Sequence, residues 1–363
     1  MRALFASFLS LSLLSAESIP VLIGSGSDGI FRSELDLDTG KMTEARLVGK
    51  GGSGWLKLRA DKKVVISTAH TDGKGGVASW KVTADGVEPI NRATYDGKGL
   101  CQATFDHTGQ MVIGADYGGG KLTAWPIDQD GKLGENSALF KHEVIDKRAR
   151  PQDQSRVHAA WAGPENKFVY VPDLGIDRVK IYAMSPKDGK LTPAGAGVSP
   201  PGSGPRHMKF SKDGKFAYVL NELSVSVTTF KRNADGSLTE VQTTSTLPTV
   251  VNKKEDKISC SEILVSKDGK FVYTGNRDLT GKDRDSVSVL AVQADGTLKH
   301  LQTVPSGVWI VRNIALSPNG DYLLCSGQKS NEVTTIKVDT KTGKMTPTGN
   351  SIPVKSAMCV VFP

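Results

Sequence analysis

One phrase, repeated, limits what this chain can fold into. Residues 204–238 read GPRHMKFSKDGKFAYVLNELSVSVTTFKRNADGSL and hold two tight-turn signals, KDGK and ADGS. Around them lie short runs of β-type alternation at 207–211, 216–221, 226–231 and 239–244. Asp-Gly between alternating apolar runs signals a hairpin, because glycine accepts positive φ without a Cβ clash. The stretch predicts a four-stranded antiparallel meander.

The first turn and the strand after it recur as DKKVVIST from Asp61, HTGQMVIGA from His107, PENKFVYVPD from Pro164, KDGKFVYTGN from Lys267 and PNGDYLLCSG from Pro318. The second turn recurs with glycines at Gly40, Gly86, Gly131, Gly189, Gly236, Gly296 and Gly343. The intervals are 46, 45, 58, 47, 60 and 47 residues, so seven four-stranded units follow one another at a period near 47. That period, with four strands per unit, is the signature of a β-propeller. An open β-array is the competing arrangement, and the chain ends argue against it. The first strands, VLIGSG and IFRSELDL, match the second and third strands of a unit, and the missing first strand stands at 356–362 as SAMCVVF. The two termini therefore complete one blade between them, closing the ring and removing a sheet edge. The expected fold is all-β, a single seven-bladed propeller over residues 19–363.

Residues 1–18, MRALFASFLSLSLLSAES, are read as a secretory signal peptide: one arginine, an apolar serine-rich run, then small residues. A buried first strand is the alternative. The run is too short to span a bilayer, and no other stretch is long and apolar enough to do so. The mature protein is expected to be exported, periplasmic or extracellular. The formal charge of +8 survives removal of this segment, which takes away Arg2 and Glu17 together. Lysines spread over turns usually make a solvated face, and no basic motif with interleaved aromatics points to nucleic acid. The four cysteines, Cys101, Cys260, Cys325 and Cys359, have no metal-ligand spacing, and three fall on predicted innermost strands. A closed ring has no edge that demands a partner, so a monomer is expected.

In a meander, alternate loops lie on opposite faces. The Asp-Gly turns share one face. The long insertions, 141–157, 248–258 and 278–286, all fall on the other, and function concentrates on long loops held by a rigid scaffold. Aligning the repeats on the residue after the first turn gives two columns at that face. At the mouth of each innermost strand stand Gly54, Cys101, His158, Arg206, Ser261 and Arg312, with Met358 in the closing strand. At the exit of each second strand stand His70, Tyr117, Leu174, Glu222, Arg277 and Gln328. His158, Arg206, Glu222, Arg277 and Arg312 should therefore converge around the central channel. Several cations in one channel need an anion, and Glu222 can serve as a purely structural counter-ion or as part of a site. Five such groups at one mouth favour a site.

The segments GPRHMKFSKDGKFAYVLNELSVSV, RVHAAWAGPENKFVYVPDLGIDRVKIY and SGQKSNEVTTI resemble the seven-bladed lactonase family. It includes propeller-type 6-phosphogluconolactonases and the fungal 3-carboxy-cis,cis-muconate lactonizing enzymes. The resemblance covers essentially the whole mature chain. It implies a catalytic set of His158, Arg206, Glu222 and Arg277, with no metal and no cofactor. Arg312, His207 and Gln328 are candidates for holding an acidic or lactone substrate. The expected activity is metal-independent hydrolysis of a sugar lactone, with Glu222 or His158 as general base and arginines for the oxyanion and an anionic substituent. A muconate-type cycloisomerase, or a non-catalytic exported propeller binding an acidic ligand, are the alternatives. The apparent export departs from family members that work in the cytosol, and bears on whether the substrate is phosphorylated.

Overall fold

The computed structural model describes residues 17–51, 54–144, 148–149, 151–248 and 257–363. Seven four-stranded antiparallel sheets follow one another around a ring, and in six of them each strand pairs only with its sequence neighbours. In the fourth blade the strands are Pro205–Phe210, Phe216–Asn221, Ser226–Arg232 and Leu238–Ser245, matching the alternation in the sequence. The ring closes as expected. Ala357–Val361 forms the innermost strand of the blade whose other strands are Ser18–Ser25, Gly29–Asp36 and Arg46–Lys50. In that blade Leu22 pairs with Val361 and Ser25 with Ala357. Ser18 already pairs with Asp36, so the sheet begins one residue before the expected boundary. Nearly all of the expected signal peptide, residues 1–16, lies outside the described residues.

The apolar core is divided among seven clusters, each joining two neighbouring blades. Each blade is thus apolar on both faces, and no blade buries its surface without both neighbours. The repeated turn glycine is part of this packing. Gly236 has φ 84°, and a Cβ there would lie 2.7 Å from the Phe168 ring of the preceding blade. Gly296 meets Phe216 in the same way, at 2.4 Å. A side chain at either position would need both a left-handed backbone and space that a ring already fills. The Asp-Gly repeat is therefore a packing repeat as well as a turn signal.

The mouths of the innermost strands hold a feature that the sequence did not disclose. Register shifts fall between Pro205 and His207, between Cys260 and Ile263, between Val311 and Asn313, and opposite Gly24/Ser25 beside Met358. Each is a β-bulge, which adds a residue to one strand and re-aims side chains. The added residues include Arg206 and Arg312. Among the described residues no helix is long and apolar enough to cross a membrane.

Candidate active site

Buried aspartates at the blade corners fix where three of the innermost strands enter the channel. Asp173 accepts from the backbone N–H of Arg156 at 2.7 Å, two residues before His158. Asp177 accepts from the N–H groups of Gly202 (2.7 Å) and Gly204 (2.8 Å), just ahead of Arg206. Asp285, in the 278–286 insertion, accepts from the Val311 N–H at 2.7 Å, beside Arg312. Such carboxylates stand in for the ladder hydrogen bonds that a strand end lacks.

On these entries the expected residues come together. Glu222 is the centre. Its Oε2 lies 2.9 Å from Arg206 Nε and 3.7 Å from His158 Nε2, and its Oε1 lies 3.0 Å from Arg277 Nη2. Arg277 Nη2 also donates to the Cys260 carbonyl at 2.8 Å. The Arg206 contact is close but poorly aligned: Arg206 Nε and Glu222 Oε2 are both buried without a hydrogen-bond partner, as is Arg277 Nε. This is an ion-pair cluster with donor and acceptor capacity left over, an arrangement that is costly in a core. Arg312 stands in the same field, where Arg277 and Glu222 are the charges it feels most, and it makes no hydrogen bond or ion pair to any described residue. Its guanidinium is the free cation of the mouth.

The electrostatics follow from burial and crowding. Burial, reinforced by Arg206, His207 and Arg312, holds His158 well below the usual imidazole range, so the ring is neutral at neutral pH. Burial would raise the Glu222 carboxyl, but Arg277, Arg206 and Arg312 outweigh it and hold the group below its ordinary value. Burial depresses Arg206, and Arg312 and Arg277 add to the effect. A guanidinium nonetheless keeps its charge at neutral pH. Three guanidiniums thus face one carboxylate.

Two residues beyond the expected set belong to the mouth. Tyr117 packs edge-on against His158 with ring centroids 5.3 Å apart, and the Arg156 guanidinium sits 5.1 Å from the Tyr117 ring centre. Cys101 Sγ lies 3.9 Å from His158 Nδ1 and 3.2 Å from the His158 carbonyl. Burial pushes this thiol up to about 11, which makes it a poor nucleophile. Both residues stood in the aligned columns, but an aromatic and a thiol carry less signal there than a charge.

His207 is placed differently from the expectation. The bulge sets it beside Arg206, whose Nη1 lies 3.2 Å from its ring, but it is buried one layer below the mouth. Its Nδ1 is 2.9 Å from Glu262 Oε1, and Asn313 Nδ2 donates to Glu262 Oε2 at 2.9 Å. It supports Arg206 from beneath and does not open onto the mouth. Gln328 is tied in by its backbone, through an N–H to the Ile310 carbonyl at 3.0 Å, and its side chain bonds to no described residue of the cluster. Among the described residues no group of three or more His, Cys, Asp or Glu side chains is placed to hold a metal ion. All four cysteines are free.

Comparison with known proteins agrees with the architecture. The family model described as "Lactonase, 7-bladed beta-propeller" matches residues 20–362. A 6-phosphogluconolactonase of Bacillus subtilis is 32% identical over 343 residues, covering 93% of this chain and 95% of its own. A crystal structure of a Lactobacillus plantarum protein superposes with a TM-score of 0.87 at 27% identity, over 96% of this chain and 100% of that one. The periplasmic gluconolactonase PpgL of Pseudomonas aeruginosa shares the fold, with a TM-score of 0.87 at 24% identity over 95% and 99% of the two chains.

Proposed function

This chain belongs to the seven-bladed β-propeller lactonase family, and we propose that it hydrolyses a sugar lactone bearing an anionic group, without a metal ion. The observation that carries this reading is the free Arg312 guanidinium beside a neutral imidazole and an arginine-held carboxylate. A guanidinium left without a protein partner in a partly buried mouth suits a carboxylate or phosphate on the substrate.

In the proposed reaction, His158 Nε2 takes a proton from water, whose oxygen attacks the lactone carbonyl. The imidazolium formed lies beside Glu222, which favours that charge as it develops. Arg206 and Arg277, oriented by Glu222, supply N–H groups for the oxyanion. Collapse of the tetrahedral intermediate breaks the bond from the carbonyl carbon to the ring oxygen. His158 then returns its proton to that oxygen, giving a hydroxy acid. A divalent cation would meet three guanidiniums around the only carboxylate of this cluster, so the charge of the mouth supports metal-independent chemistry. Export remains part of the proposal, on the strength of residues 1–18 alone.

The test is pH-stat hydrolysis by the purified mature protein in EDTA, across 6-phosphogluconolactone, carboxylated sugar lactones and neutral aldonolactones. Turnover that resists EDTA and favours an anionic lactone is expected. Activity abolished by EDTA, or silence across the panel, overturns the reading. Product analysis separates hydrolysis from a muconate-type cycloisomerisation.

A further inference from the structure

The opposite end of the channel holds a cavity of about 410 Å³, on the side of the Asp-Gly turns, with largely apolar walls into which Lys57, Lys209 and Glu262 are set. The layer of His207, Glu262 and Asn313 separates it from the mouth described above. Lys209 lies three residues further along the strand that carries Arg206, and Lys57 reaches in from the strand Leu56–Leu58. Both ammoniums gather on one ring: Lys209 Nζ is 3.4 Å from the Trp161 ring centre and Lys57 Nζ is 5.6 Å from it. Neither makes a hydrogen bond or an ion pair with any described residue. The one carboxylate of the cavity, Glu262, is already shared by His207, Asn313 and the backbone N–H of Ile263. The indole N–H of Trp161, which also lines the cavity, is buried without a partner.

We propose that this cavity is a second anion-binding site, taking a small oxyanion (phosphate or carboxylate) between Lys57, Lys209 and the Trp161 N–H. The reasoning is one of charge and desolvation. Two ammoniums on one indole face gain some cation–π attraction, but they repel each other and have lost part of their water. An oxyanion removes the repulsion and supplies acceptors for donors that the protein leaves unmatched. Burial lowers Lys209 to about 7, with Lys57 adding to the drop against the pull of Glu262, so an entering anion would draw a proton onto this amine. The proposal does not depend on the reaction at the other mouth, because no residue named for the site belongs to that cluster.

The experiment is calorimetric titration of the mature protein with inorganic phosphate and, separately, with gluconate, at constant ionic strength. It uses three proteins: wild type, the double variant Lys57→Met/Lys209→Met, and Arg312→Met. A saturable event at millimolar concentration is expected that is retained in Arg312→Met and missing from the double variant, in which any binding left is the part that Arg312→Met loses. The preferred anion identifies the source. Lactone turnover of the double variant without added anion should stay within about twofold of wild type, since its changes lie outside the mouth. Thermal melting checks that it is folded. No saturable event with either anion, or an event unchanged in the double variant, overturns the proposal.

Discussion

Asp173 and Glu222 are carboxylates at the second-strand ends of two adjacent blades, one buried and one partly exposed, and their surroundings are opposite. Asp173 is fully buried and satisfied. It accepts from Ser155 Oγ at 2.6 Å, His142 Nδ1 at 2.7 Å, and the N–H groups of Arg156 at 2.7 Å and Gly175 at 3.0 Å. Tyr182 closes the network behind His142 at 2.9 Å. Ser155 and His142 both point at the aspartate and are not aligned as nucleophile and base, so the trio is an anchor for the 141–157 insertion. Glu222 keeps 18% of its side chain exposed, and its Oε2 is left without a well-directed hydrogen bond although Arg206 Nε lies 2.9 Å away. A structural carboxylate uses all its acceptor sites within the fold. One that leaves sites unused, among cations that also have donors to spare, is arranged for something that binds.

The sharpest way to break this contrast is to neutralise Glu222. Glu222→Gln keeps the shape but removes the charge that orients two guanidiniums and stabilises the imidazolium. Turnover on the preferred lactone should fall about a thousandfold, within the range for lost acid–base and oxyanion assistance. Steady-state kinetics check it, and a loss under about tenfold would return Glu222 to a structural role.

Arg312→Met should separate function from stability. The guanidinium has no protein partner to lose, and replacing an unpaired, partly buried cation by an apolar side chain relieves part of a desolvation cost. The melting temperature should hold or rise, while kcat/KM for an anionic lactone falls about a hundredfold. A lower melting temperature would mean that Arg312 contributes to the fold after all.

Asp173→Asn should do the reverse. An amide NH₂ there faces donors, so stability should drop by about 3 kcal/mol, the scale of losing hydrogen bonds to a charged acceptor. Turnover per folded molecule should stay within about threefold, because no reacting group is removed. Denaturant unfolding and kinetics on one preparation check both halves.

These contrasts explain why the sequence disclosed some features and not others. The fold was legible because Asp-Gly turns and alternation are local rules, and because the strand missing at 356–362 could be counted. His158, Arg206, Glu222, Arg277 and Arg312 were legible because a repeat turns distant positions into columns. The bulges were not legible, since one extra residue in a strand leaves no compositional mark. They set His207 beside Arg206 while burying it against Glu262. They also make the next residue on the channel side three positions on, not two. In the fourth blade that offset leads from Arg206 to Lys209, and Lys57 and Trp161 stand at the same spacing from Gly54 and His158, all three at the cavity at the far end.

The smallest expected effect is the most specific. In the free enzyme His158 is neutral because burial and two guanidiniums hold it well below the usual imidazole range. An anionic lactone on Arg312 cancels part of that positive field, so the imidazole pKa rises in the complex. A general base is active only when deprotonated, and the acid limb of kcat/KM reports the free enzyme whereas that of kcat reports the complex. The kcat limb should therefore lie at higher pH than the kcat/KM limb for an anionic lactone. For a neutral lactone the two limbs should nearly coincide, because nothing cancels the field. Residual activity in Glu222→Gln should keep an acid limb, moved to lower pH by loss of the carboxylate that favours the imidazolium. If the limb vanishes in that variant, the base is Glu222 itself, and the unused acceptor at its Oε2 is where water gives up its proton.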